Sequence, residues 1–418
     1  MNILFASTYC LLDTTSGAAV SVRTLLEQLS LRGFGCEAVT ASVFDPCREV
    51  ALEWVITSQG TGISSSLPYL HPLREAGERG GGLVPEGGEN VVEVRAAGLR
   101  HTILRTASSQ RQNLTPGAED SLLSLVQRKI RELHPDILLT YGGHRAEKKI
   151  RALARRLSLK VVFYLANDSY RKRETFSSAD AVIVPSQFFA ELYRKRLGIR
   201  SHVLYPVVLK ERCRSDSGVR RFVTFTNPQP QKGLTLFARV AAEARHELPE
   251  AEFVVVEGRW NRDDVLRAGI HLEKLPNVRF VPNQADMRPV YGYTKILLFP
   301  SFWEEGFGRS IVEAQLNGIP VVASRRGGIP EALNGGGCLL DIPTRLTEDY
   351  QIVPNSEEAR PWVRQIRQLL HNAEAYDEAC RRAYNAAEGF NPERPVEAAT
   401  TLLTNLANGK QVRAGSAS

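Results

Sequence analysis

The sequence predicts an α/β chain built on parallel sheets and divided into two halves. Three observations carry this prediction. Short apolar runs of strand length alternate with longer amphipathic segments along most of the 418 residues. The chain opens on a βαβ unit, with strand Asn2 to Ala6, a loop through Ser16-Gly17-Ala18-Ala19, helix Val20 to Arg32 and strand Cys36 to Ala41. A second such unit lies at Lys295 to Ala332, KILLFPSFWEEGFGRSIVEAQLNGIPVVASRRGGIPEA: strand Lys295 to Phe299, loop Ser301 to Gly308, helix Arg309 to Asn317 stopped by Gly318, and strand Val321 to Ser324.

Bulk properties narrow the classes. A chain of 418 residues suggests two or three domains of about 100 to 200 residues. Charged residues at 24% and hydrophobic residues at 43% are ordinary for a globular protein and exclude a disordered or fibrous chain. No apolar run approaches the roughly 20 residues of a membrane span. Met1 to Leu12 is apolar but lacks a basic leader and a cleavage site, so a strand and a cytoplasmic location are expected. The cysteines at 10, 36, 47, 213, 338 and 380 show no CxxC or Cys/His spacing, which predicts reduced, mostly buried thiols and no metal site. The net charge of +7 suits nucleotide diphosphates or a membrane surface, and equally a plain soluble protein. Without a helix-turn-helix, RNA-binding or zinc-finger pattern, it does not predict a nucleic-acid partner.

The chemistry concentrates at Glu305 and Glu313, which frame Gly306 and Gly308. Such a loop sits outside the carboxyl end of a parallel strand, where ligands bind. Glycines admit close backbone approach, and the helix start suits a phosphate. Carboxylates beside a diphosphate would be repelled, but they accept hydrogen bonds from vicinal hydroxyls. Phosphate, ribose and sugar together describe a nucleotide-sugar. An ordinary βαβ unit with a solvated first helical turn is the plainer account.

Glu305 and Glu313, with the intervening GFGRSIV, resemble the E-x7-E motif of retaining glycosyltransferases of family 4, and NGIPVVAS and GGIPE are similar to that family too. The resemblance implies the GT-B fold: two Rossmann-like domains facing across a cleft, with a C-terminal helix crossing back to the N-terminal domain. Domains are then expected at 1–208 (acceptor-binding) and 209–389 (nucleotide-sugar-binding), followed by the crossover helix at 390–410 and a disordered tail at 411–418. Glu305 would reach the donor sugar and Glu313 the ribose, while Gly306, Phe307, Gly308 and Arg309 face the diphosphate. Lys232 and Gly233, before helix Leu234 to His246, supply a phosphate partner. Asn227 stands near the place where the family carries an arginine, which leaves the site one charge short and Arg309 to supply it. Val281 and Asn283 would hold the base through main-chain groups. Gly17 keeps one glycine of a family pair, with Ala18 in the second place.

The N-terminal half offers acceptor candidates on the loop after strand Asp136 to Thr140, namely Tyr141, Gly142, Gly143 and His144. The family often has a histidine near Tyr141, so His144, three residues on, reads either as a catalytic or acceptor contact or as a helix N-terminal residue. Asn167, at the end of strand Val161 to Leu165, reads either as an acceptor-site residue or as half of a turn-forming Asn-Asp pair. The expected catalytic set is Glu305, Lys232 and His144.

The remaining elements follow the same alternation. Residues 60 to 118 are least regular: Gly77 to Gly88 reads as a flexible connection and no phosphate loop, and Val91 to Arg95 with Thr102 to Arg105 as a hairpin, a segment that the resemblance implies would overhang the acceptor side. Helix Asp120 to Leu133 follows. Arg145 to Leu157 is a basic amphipathic helix that either touches anionic lipid at the inner face of a membrane or covers the sheet with a solvated face. Strands Ala181 to Val184 and His202 to Tyr205 lead to a linker at Lys210 to Val219. Strands Arg221 to Thr226, Ala251 to Glu257 and Val278 to Pro282, then helices Pro361 to Leu370, Asp377 to Glu388 and Glu393 to Leu406, complete the second half.

The expected activity is transfer of a sugar from a UDP- or GDP-sugar to an acceptor hydroxyl with retention of configuration, with no cofactor. A nucleotide-sugar epimerase, a sugar phosphorylase and a non-catalytic nucleotide-sugar-binding subunit are the alternatives.

Overall fold

The computed structural model describes residues 1–58, 64–65, 90–216 and 218–410. The Gly77 to Gly88 connection and the Gln411 to Ser418 tail lie outside the described residues.

Two sheets organise the chain. The first is built from β1 (Asn2–Tyr9), β2 (Gly35–Val43), β3 (Ser64–Ser65), β4 (Val91–Ala96), β5 (Leu99–Leu104), β6 (Ile137–Thr140), β7 (Lys160–Tyr164), β8 (Ala181–Val184) and β9 (His202–Val203). Its strand order is β3-β4-β5-β2-β1-β6-β7-β8-β9. From β5 to β9 all neighbours run parallel, whereas β3–β4 and β4–β5 are antiparallel. The second sheet holds β10 (Phe222–Thr226), β11 (Phe253–Val256), β12 (Val278–Val281), β13 (Thr294–Phe299), β14 (Val321–Ser324) and β15 (Cys338–Leu340), parallel throughout in the order β12-β11-β10-β13-β14-β15.

Central strands such as FVVV of β11 and AVIV of β8 are buried along their whole length, because helices cover both faces of a parallel sheet. On β1 the alternation is explicit. Ile3 and Phe5 enter the core that holds Val22, Leu25 and Leu29 of helix Gly17–Leu31, and Leu4 and Ala6 enter the opposite core with Leu122 and Val126. The last helix, Glu393–Ala407, belongs to that first core through Val396, Ala399, Leu402, Leu403 and Leu406. The chain thus returns from the second sheet to cover one face of the first.

Several boundaries differ from expectation, each for a local reason. Helix Gly17–Leu31 begins three residues early because Ser16 caps it. The predicted hairpin forms around Ala97 and Gly98, both left-handed, and its second strand β5 also joins β2, so the hairpin extends the main sheet. Helix Ser356–His371 starts five residues before Pro361, where Asn355 and Glu358 form a reciprocal capping box. The expected linker contains helix Lys210–Cys213, and Cys213 is buried against the second half. Arg151, one of the charges that make helix Arg145–Arg156 read as basic, is 1% exposed rather than solvated and donates to the carbonyls of Gly142 and Thr175. The six cysteines are free, and only Cys47 among them is exposed.

His101 on β5 is fully buried with neither ring nitrogen hydrogen-bonded among the described residues. Burial, aided by Arg23, pushes its imidazole down to about 3. Below the ordinary histidine range the unfolded chain gains a proton that the folded chain refuses, so stability should fall as pH drops from about 6.5 towards 3. Urea titrations across that range should show a shallower loss for His101→Leu than for the parent protein.

Candidate active site in the cleft

The loops after β10 and β13, neighbours in the second sheet, end side by side. Asn227 turns the chain with a left-handed φ of 59°, Pro230–Lys232 forms one 3-10 turn, and Gly233 opens helix Leu234–Glu247 at φ 84°. Only glycine fits there, because a Cβ would stand 1.9 Å from the Pro300 carbonyl oxygen. The backbone N–H groups of Phe302 and Trp303 both donate to the Gln231 carbonyl at 3.0 Å, stitching the loops together. The result places Lys232 Nζ 2.6 and 2.8 Å from the two carboxylate oxygens of Glu305, and Ser301 Oγ donates to the same carboxylate at 2.6 Å. Glu305 is 7% exposed, so this contact is sheltered from water.

The paired glycines at 327 and 328 support that loop from behind. Gly328 N–H donates to the Glu305 carbonyl at 2.8 Å, and a Cβ on Gly327 would lie 2.4 Å from Glu305 backbone atoms. Helix Arg309–Leu316 opens at Gly308, φ 108°, with no side-chain cap and no acidic residue in its first turn. Its positive end is therefore presented to the cleft beside Gly306 and Phe307. Glu313 accepts from the Tyr291 hydroxyl at 2.7 Å and from Arg309 at 3.4 Å. Arg309 also donates to the Val207 carbonyl at 2.9 Å. Its guanidinium is thus held by the interdomain connection and by Glu313 in the ligand-free protein.

Val281 ends β12, and Asn283 follows with its amide donating to the Glu257 carbonyl at 3.2 Å. Asn227 accepts from Arg259 N–H at 3.2 Å, so it serves the backbone of the neighbouring loop. Lys232, Gly233, Glu305, Gly306, Phe307 and Gly308 are brought together; Glu313 lies one turn inside helix Arg309–Leu316, and Val281 and Asn283 lie at the end of β12, separated from β10 by β11.

The first-domain candidates divide differently. Gly17 is the first residue of its helix rather than part of a loop, and nothing lies within 4 Å of where its Cβ would be. Tyr141 is buried with its ring 5.3 Å from Phe5, so it packs beneath the cleft rather than lining it. Gly142 N–H donates to the Tyr170 hydroxyl oxygen and its carbonyl accepts from Arg151, while a Cβ on Gly143 would meet Tyr170 at 2.9 Å. Asn167 makes a turn through Ser169 N–H, as the Asn-Asp reading expects. His144 is the N-cap residue of helix Arg145–Arg156 without a capping side-chain bond, and its ring lies 6.3 Å from Tyr9. Burial lowers its pKa against the opposing pull of Glu147, so the imidazole is neutral at pH 7.

Contacts across the cleft involve residues that sequence motifs did not mark. Arg259, after β11, places Nη2 2.6 Å from Asp45 Oδ2 on the loop after β2. Asp45 N–H in turn donates to Asp13 at 2.7 Å, and burial together with Asp45 pushes the Asp13 carboxyl up to about 6. Thr14 donates to Asn283 at 3.2 Å. Further along, Glu331 accepts from the backbone N–H groups of Gln187 and Phe188 at 2.8 and 2.6 Å, capping a helix of the opposite domain. Asp45 and Arg259 are 214 residues apart, and only the position of Arg259 at a strand's carboxyl end could have pointed to it. Beside Asp45 a cavity of about 200 Å³ is lined by Tyr9, Phe44, Gln110, Arg111 and Gln112. Among the described residues no His, Cys, Asp and Glu cluster could hold a metal ion, and no helix is long and apolar enough to cross a membrane.

Comparison with known proteins gives the following. Residues 220–372, which carry the second sheet, match the model of the family Glycosyl transferases group 1. A D-inositol 3-phosphate glycosyltransferase from Saccharomonospora viridis is 39% identical over 90 residues, 21% of each chain. Spore coat protein SA from Bacillus subtilis is 24% identical over 200 residues, 45% of this chain and 50% of its own. The chain thus spans half or less of the length of these curated relatives. Two solved structures share the whole architecture: Anabaena HepE in complex with UDP and glucose, TM-score 0.65 at 15% identity over 97% of this chain and 99% of the other, and a sucrose-phosphate synthase from Thermosynechococcus elongatus, TM-score 0.68 at 14% identity over 98% and 100%. The fold is GT-B.

Because Glu331 satisfies two helix-terminal N–H groups, Glu331→Ala should destabilise the protein by about 1–3 kcal/mol, read from urea unfolding.

Proposed function

We propose that the chain is a glycosyltransferase that moves a sugar from a nucleoside-diphosphate sugar to an acceptor hydroxyl with retention of configuration. The observation that carries this reading is the Lys232–Glu305–Ser301 cluster beside the uncapped start of helix Arg309–Leu316. The group 1 family match over residues 220–372 and the UDP bound by a neighbour of the same fold support it.

In this reading the diphosphate lies at the Gly306 to Gly308 turn, where helix N–H groups and Lys232 offset its charge. Glu305 then turns part of its acceptor capacity to donor-sugar hydroxyls while keeping its bond from Ser301. Glu313, steadied by Tyr291 and Arg309, accepts the ribose hydroxyls. The acceptor approaches from the first domain, beside Tyr9, which lines the cavity at Asp45 and whose ring lies 6.3 Å from that of His144. No step requires a covalent enzyme intermediate or a cofactor. The basic helix Arg145–Arg156 offers less charge to a membrane than its sequence suggests, since Arg151 is buried and Lys149 and Arg155 are paired with Asp120 and Asp180.

Thermal melts with UDP-, GDP- and ADP-sugars test the donor. A ligand at a hundred times its Kd should add about 2.7 kcal/mol, and Glu313→Ala should abolish the shift. No shift with any donor sinks the reading. Lys232→Ala and Glu305→Ala should each lower turnover by about 100-fold or more while the protein stays folded by circular dichroism. Unchanged turnover in either would remove that residue from the mechanism.

A further inference from the structure

The cations of the cleft are paired with carboxylates, yet not equivalently. Lys232 is bound by Glu305, Arg309 by Glu313 and Arg326 by Glu304 at 3.0 Å, each within the second domain. Arg259 differs from these three because its carboxylate, Asp45, belongs to the opposite domain; Arg48 makes the reciprocal crossing, 3.7 Å from Asp264. Its backbone N–H is fixed to Asn227, which places it over the same strand ends as Lys232. Its Nε is buried with no hydrogen-bond partner among the described residues, so the guanidinium has a donor to spare. Asp45, Asp13 and Glu305 all favour its charged form.

Resting on the donor reading above, we propose that Arg259 is a second cation for the donor diphosphate, and that Asp45 holds it in the ligand-free protein. A diphosphate needs more positive charge than Lys232 can give while it neutralises Glu305. Arg259 can supply it by exchanging one anionic oxygen for another, a swap in which the guanidinium is never left unpaired. Asp45 is then a competitor of the donor. Its own position is set by Asp13, whose side chain accepts from the Asp45 backbone and not from its carboxylate. The carboxylate is therefore released without disturbing the loop.

This assignment makes opposite predictions for the two partners of one ion pair. Titration calorimetry with UDP, GDP and ADP would be run on the parent protein, Arg259→Met, Arg259→Lys and Asp45→Asn, with circular dichroism melts as a folding check. Arg259→Met should weaken the nucleotide that the parent binds by roughly 10- to 100-fold, with partial recovery in Arg259→Lys. Asp45→Asn should tighten it several-fold. If the pair only straps the domains together, both substitutions break the same strap and both should weaken binding, which overturns the proposal. Unchanged binding in Arg259→Met also overturns it while leaving the donor reading intact. Failure of all three nucleotides to bind the parent protein overturns that reading and this inference with it.

Discussion

The Lys232–Glu305 ion pair is the contact on which the candidate site depends. It joins two loops that lie 73 residues apart in sequence and meet only because β10 and β13 are neighbours in a parallel sheet. Everything around it serves its geometry. Gly233 lets the first loop pass Pro300, Gln231 accepts the second loop's N–H groups, and Gly327 and Gly328 allow a third loop to lie flat behind Glu305. A half-buried pair of this kind is weak evidence of net stability, since desolvation offsets attraction. Its value is positional: it holds a lysine and a carboxylate ready beside a helix N-terminus.

Much of this was legible in the sequence because it is local. The glycines, the two glutamates and the strand-length apolar runs of 295–332 fall within one supersecondary unit, and each residue type has a backbone reason to be there. Val321–Ser324 is legible to the residue, since an apolar run closed by one small serine between Pro320 and Arg325 has few other uses. Capping chemistry that depends on a three-residue spacing was less visible, as the Asn355–Glu358 box ahead of Pro361 illustrates. Arg151 was misplaced for a different reason: helical periodicity counts it as polar, but a guanidinium can enter a core that offers carbonyl acceptors.

What sequence could not supply is pairing between domains. Asp45 with Arg259, Thr14 with Asn283 and Glu331 with Gln187 and Phe188 carry no spacing rule, because each joins loops from separate sheets. Their order is nonetheless regular. The β11 and β12 ends meet the β1 and β2 ends, and the loops after β13 and β14 meet the ends of β7 and β8.

The two flanks of the cleft differ in kind. On the β8 side Gly306 abuts Ala166 and Pro185 so tightly that an added methyl would come within 2.9 Å of a carbonyl oxygen, and Glu331 grips a helix end. On the β2 side the contacts are polar, namely Asp45–Arg259, Thr14–Asn283 and Arg48 with Asp264 and the Arg259 carbonyl. Interdigitated atoms resist separation over tenths of an ångström, whereas ion pairs exchange partners readily with water and salt. The molecule is therefore built like a door with its jamb at β8 and its latch at β2. A rotation of a few degrees about the jamb leaves the Glu331 clasp in place and opens the widest gap where the two domains hold each other by polar contacts.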